Sequence, residues 1–140
     1  MKILAASDLH GNLDGLDLSG IDLALFAGDI APLRSLTYWA VRDQLSWMNI
    51  DFYSFCNRWP ATKIVFIPGN HDFFPIIDEA YGYSTRDDAS IRLTSNATML
   101  IDSKVDLPIL DSEKSISIYG TPWVPIISHR WAFEAENIKL

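Results

Sequence analysis

Three short apolar runs, each stopped by a polar, glycine-containing turn, constrain this chain more than any other feature. They are Lys2–Ala6 (KILAA), Ile21–Ala27 (IDLALFA) and Lys63–Pro68 (KIVFIP). Nearly continuous apolar runs of this length read as strands of a parallel sheet covered on both faces, and the third is also rich in β-branched and aromatic residues. Between the second and third, Val41, Leu45, Met48, Phe52, Phe55 and Trp59 recur at spacings of 4, 3, 4, 3 and 4. This predicts one helix with a core-facing stripe, closed by Pro60. Strand, crossover helix and parallel strand form a right-handed unit, so the expected class is α/β. Further on, Asp78–Asp88 reads as a polar loop, and Ala97–Asp102 and Ser115–Tyr119 as strands. The last ends in the glycine-containing turn Gly120-Thr121-Pro122-Trp123. No repeat or linker divides the chain.

Length and composition fit one domain. At 140 residues such a chain buries roughly 68–70% of its unfolded surface. Hydrophobic residues make up 49% and charged residues 21%, a globular balance. No apolar run reaches the roughly 18 residues of a membrane span, and Ile3–Ala6 is too short for the core of a signal peptide. A cytoplasmic location is therefore expected. The single cysteine, Cys56, allows no internal disulfide or cysteine-based zinc cluster, and its place on the helix predicts a small buried hydrophobe. A net charge of −7 argues against non-specific attraction to nucleic acid or anionic membrane.

In open α/β sheets ligands bind at the carboxyl ends of the strands. Asp8, His10, Gly11 and Asn12 follow the first run, Gly28 and Asp29 the second, and Gly69, Asn70, His71 and Asp72 the third. Two aspartates, an imidazole and an amide oxygen without a thiolate suit a divalent transition metal. In an extended segment Asp8 and His10 would point the same way and could grip one ion. Asp29 could bridge two ions through its two oxygens, and Gly28 and Gly69 would allow sharp turns and close approach. Each element alone could be a polar turn, but three in order at three strand ends are hard to explain so. No glycine-rich phosphate loop of the nucleotide-binding types follows any strand.

The series Asp8-x-His10, Gly28-Asp29 and Gly69-Asn70-His71-Asp72 resembles the signature of the calcineurin-like metallophosphoesterases. Gly120–Phe133 (GTPWVPIISHRWAF) is similar to a segment of small members related to the metallophosphoesterase domain-containing proteins. The resemblance runs from about Lys2 to about Phe133 and implies a sandwich of β-sheets flanked by helices. It further implies metal-dependent hydrolysis of a phosphoester by a dinuclear centre of Mn, Fe, Zn, Co or Ni. Asp8 and His10 would hold the first metal, Asp29 would bridge, and Asn70 would hold the second. His71 would act as general acid outside the ligand set, with Asp72 orienting and charging its ring. The substrate would be a phosphoester small molecule, and Trp123, Trp131, Phe73 and Phe74 could stack on the base of a nucleotide.

Such a pattern also implies a histidine after a later strand and a Gly-His-x-His pair. The chain has only three histidines, His10, His71 and His129, and His129 is expected at the surface or in packing. Residues 1–140 are accordingly expected to form the N-terminal two-thirds of one metallophosphoesterase domain. An open sheet edge could receive a second copy or a complementing segment. The alternative to an active hydrolase is a silent fragment that binds metal or a partner.

Overall fold

A computed structural model describes residues 1–76, 93–109 and 113–136, without the side chains of residues 38 and 41. The expected loop Asp78–Asp88 lies outside the described residues. Four parallel strands form the main sheet: β1 (Ile3–Ala6), β2 (Leu23–Ala27), β3 (Lys63–Ile67) and β4 (Ala97–Met99), in that spatial order. The register sets Ala24 beside Ile64 and Phe26 beside Phe66, so alternate residues line up in rows on each face.

One face carries the crossover. Helix α1 (Tyr38–Trp47) starts at Thr37, whose hydroxyl accepts the Ala40 N–H. A π-helical turn (Met48–Phe52) and the short α2 (Tyr53–Asn57) follow, and the helical path ends before Pro60. The expected single helix is thus a helix interrupted by one wide turn. The stripe still does what its period predicts, since Met48, Phe52 and Phe55 are buried against Phe26, Ile64 and Phe66. Burying each of these large side chains contributes about 1.5–3 kcal/mol. Cys56 sits in the same core, and burial pushes its thiol up to about 12, so it is the inert hydrophobe its position foretells.

The opposite face carries a hairpin, β5 (Ser103–Pro108) with β6 (Ser115–Gly120), antiparallel. Val105, Leu107 and Ile118 pack against Leu23, Leu25, Val65, Ile67 and Leu100. The expected strand Ala97–Asp102 divides here: β4 stops at Met99, and Ile101 and Asp102 turn the chain into β5. Asp102 takes a φ of 44° at this corner. A last pair, β7 (Val124–Pro125) with β8 (Glu134–Ala135), is short and parallel. Helices on one face of the parallel sheet and strands on the other give the expected α/β layering.

One strand departs from the reading. β1 is an edge rather than a fully covered strand, and Ile3 is 47% exposed, because no described residues pair with its outer side. No helix among the described residues is long and apolar enough to cross a membrane.

Candidate metal centre

The ends of β1, β2 and β3 meet at one edge of the sheet, and backbone hydrogen bonds bind the first two turns together. Asp8 N–H donates to the Gly28 carbonyl (3.1 Å), His10 to Asp29 (2.8 Å) and Gly11 to Ile30 (2.8 Å). This pairing forces left-handed backbone on Asp8, His10 and Asp29, with φ of 55°, 46° and 53°. Such conformations are uncommon outside glycine and cluster where function requires them. The segment is therefore not extended, and the alternation that would aim Asp8 and His10 the same way does not apply.

Nitrogen atoms of His10 and His71 and a carboxylate oxygen of Asp29 lie within 4.8 Å of one another. Asp8, Asp29 and Asn70 line a cleft of about 160 Å³ with Gly28, Gly69, Thr121 and Trp123. Asp29 belongs to both groups. Its side chain is 13% exposed, one oxygen accepts the His71 N–H (2.9 Å), and the other lies 3.9 Å from His10 Nε2. The donor set of carboxylate and amide oxygens with imidazole nitrogens fits borderline divalent ions. His71, expected outside the ligand set, stands with its ring among these donors.

Two glycines make the meeting of turns possible, for different reasons. Gly28 needs its φ of 88°, and a Cβ there would lie 3.0 Å from the Gly69 Cα. Gly69 has no left-handed backbone; a Cβ on it would run into the Asp29 carboxylate and backbone nitrogen. Its service is space rather than turning.

Asp72 is fully buried, and its place corrects the expectation that it orients the His71 ring. Its carboxylate accepts N–H bonds from Ile30 (2.9 Å), Ala31 (2.9 Å) and Gly69 (2.8 Å), tying the turn after β2 to the turn after β3. Burial pushes its carboxyl up to about 6, helped by the nearby Asp29 charge and resisted by the three N–H donors. Asp72→Ala should leave three donors unpaired, each costing about 1–3 kcal/mol, offset in part by relief of a buried charge. A net loss of about 2 kcal/mol at pH 7 is expected. The raised carboxyl favours the folded state below the ordinary value of 3.8 and loses that contribution as pH rises through about 6. In metal-free chemical denaturation, the gap between wild type and Asp72→Ala should accordingly widen as pH falls below 6. An unchanged gap contradicts this assignment.

Two supports escape the sequence reading. Gln44 on α1 is fully buried; its amide donates to the His71 carbonyl (2.8 Å) and accepts the Phe73 N–H (2.8 Å), fixing the turn that carries His71. A polar residue four positions before Met48, on the apolar stripe, was the signal. Asp102 accepts from the Thr121 hydroxyl (2.8 Å) and Trp123 Nε1 (2.5 Å), bracing the cleft wall. Of the aromatic residues proposed to stack on a base, Phe74 is core and Phe73 packs on it, Trp131 lies against His71, and Trp123 is 41% exposed beside the cleft. His129 is exposed, as expected, and takes no part in the donor group.

Compared with known proteins, the chain is matched by the family model for calcineurin-like phosphoesterases over residues 1–137. No curated protein matches it.

Proposed function

The chain belongs to the calcineurin-like phosphoesterase family, and on that premise we propose that it hydrolyses a small phosphoester with two divalent metal ions. Asp8 and His10 would hold the first, Asp29 both, and Asn70 the second. The observation that carries this reading is that Asp29 offers a carboxylate oxygen within 4.8 Å of a His10 ring nitrogen and also lines the cleft with Asp8 and Asn70. When bound there, the ions supply positive charge to the phosphoryl oxygens and acidify a water enough for it to attack phosphorus in line.

The chain's own groups do the rest. Asp29 receives the His71 N–H and so sets where the third turn begins. His71 carries a proton on its partly exposed ring and delivers it to the departing ester oxygen as general acid. Asp72 and Gln44 hold the backbone on either side of that histidine and do not meet the substrate. The exposed face of Trp123 gives a nucleotide base a stacking surface at the cleft, which favours nucleotide esters among the possible substrates.

Chelator-stripped protein is expected to be inert and to recover hydrolysis of p-nitrophenyl phosphate or bis-p-nitrophenyl phosphate when Mn²⁺ or a similar ion is restored. The ratio of the two rates separates monoesterase from diesterase action. A second reading, metal binding without turnover, is favoured by the exposure of His129, which leaves two histidines at the centre. Calorimetric Mn²⁺ binding with no hydrolysis in Mn, Fe, Zn, Co or Ni selects that reading. Failure to bind any of them removes both.

A further inference from the structure

The segment Thr121–Phe133 supplies a cleft wall at one end, and its far end reaches the turn that carries His71. The Trp131 indole stacks on the His71 imidazole with ring centroids 4.3 Å apart and planes 3° from parallel. On another side His10 meets the same ring edge-on, with centroids 5.1 Å apart and planes inclined by 64°. A side chain whose terminal torsion is otherwise broad is thereby left one plane in which to lie.

The stack is built rather than incidental. The Ala132 N–H donates to the Asn70 carbonyl (3.0 Å), so the backbone beside Trp131 is bonded to the residue before His71. Glu134 folds the loop behind it: one carboxylate oxygen accepts N–H bonds from Ile127 (2.6 Å) and Ser128 (2.8 Å), and the other from Trp131 (3.1 Å). Val124 N–H closes the base of the loop on the Phe133 carbonyl (3.0 Å). These bonds deliver the indole to the histidine from a part of the chain 60 residues away.

We infer that Trp131 is a positioning residue that fixes the plane of His71, so that its ring nitrogen is aimed at the departing oxygen. The inference rests on the proposed role of His71, but the stack can be measured without turnover. Proton transfer needs a donor within hydrogen-bond reach and in line, and misplacement of about 1 Å can cost about 10²-fold.

In metal-free protein the carbon-bound ring protons of His71 should show an upfield ring-current displacement by NMR, lost in Trp131→Ala and kept in part in Trp131→Phe. With metal restored, Trp131→Ala should lower kcat about 10-fold or more on phenyl phosphate, whose leaving group needs a proton, and much less on p-nitrophenyl phosphate. KM should stay within about twofold, and Trp131→Phe should recover most of the loss. His71 protons at ordinary positions in the wild type overturn the inference even if no ester is hydrolysed. Equal loss on both esters also overturns it, since a merely structural defect would not distinguish leaving groups. An inactive wild type with displaced His71 protons retains the positioning inference and removes only the proposed hydrolysis.

Discussion

Asp29→Ala is expected to reduce metal-dependent hydrolysis at least about 10⁴-fold while leaving the fold nearly as stable as before. The activity loss follows from the position of Asp29 in both donor groups. In the proposed centre, removing it would take an anionic oxygen from each metal at once, and a loss of about 5.4 kcal/mol of transition-state stabilisation corresponds to 10⁴-fold in rate. The small stability change follows from two opposing effects. The variant loses the bond from the His71 N–H, worth about 1 kcal/mol, but it also removes a charge that pushes the buried Asp72 carboxyl upward. Calorimetry should show weakened Mn²⁺ binding, and thermal denaturation of the metal-free protein should move by no more than a few degrees. Retention of more than about one-hundredth of wild-type activity would mean that Asp29 does not serve both metals.

Much of this centre was legible because parallel strands advertise their ends. A strand covered on both faces must be continuously apolar, and it must stop where the chain turns out into solvent. Asp8, Asp29 and Asn70 therefore stand out as polar residues just past Ala6, Ala27 and Ile67. The antiparallel pair has a different signal, alternation: β6 shows it as Ser115-Ile116-Ser117-Ile118, and in β5, which the sequence reading missed, Val105 and Leu107 face the sheet while Lys104 and Asp106 face outward and pair at 3.0 Å. What spacing could not reveal is what each turn residue faces. Asp72 follows His71 directly, which suggests that it serves the ring, but its carboxylate points into the core and takes N–H groups from residues about 40 positions earlier. Trp131, read from sequence as a surface for a base or as core, instead lies against His71, held there by a loop that Glu134 folds.

Gly69 carries this lesson into the second large effect. Read from sequence, it allows a sharp turn and a close approach. In the fold its backbone needs no left-handed conformation, yet the methyl of an alanine there would occupy the space of the Asp29 carboxylate and backbone nitrogen. The carboxylate could rotate away, but the backbone nitrogen cannot yield alone, because the carbonyl of the same residue receives the His10 N–H. On the other side, Gly69 N–H is held by Asp72 and the Gly69 Cα lies against Gly28. Neither turn can move without carrying proposed metal ligands with it. Gly69→Ala should therefore destabilise the fold by about 3 kcal/mol, near the upper end for overpacking, and lower activity at least about 10²-fold through displacement of Asp29 and Asn70. Ser or Ala should behave alike, since either adds the offending Cβ. Thermal denaturation and Mn²⁺-dependent hydrolysis, measured on Gly69→Ala beside Gly15→Ala, separate space from conformation. Gly15 has a φ of 82° with nothing within 4 Å of its notional Cβ, so alanine there should strain only the local backbone and leave metal-dependent hydrolysis intact. Wild-type activity in Gly69→Ala would show that the two turns are not locked together as this packing requires.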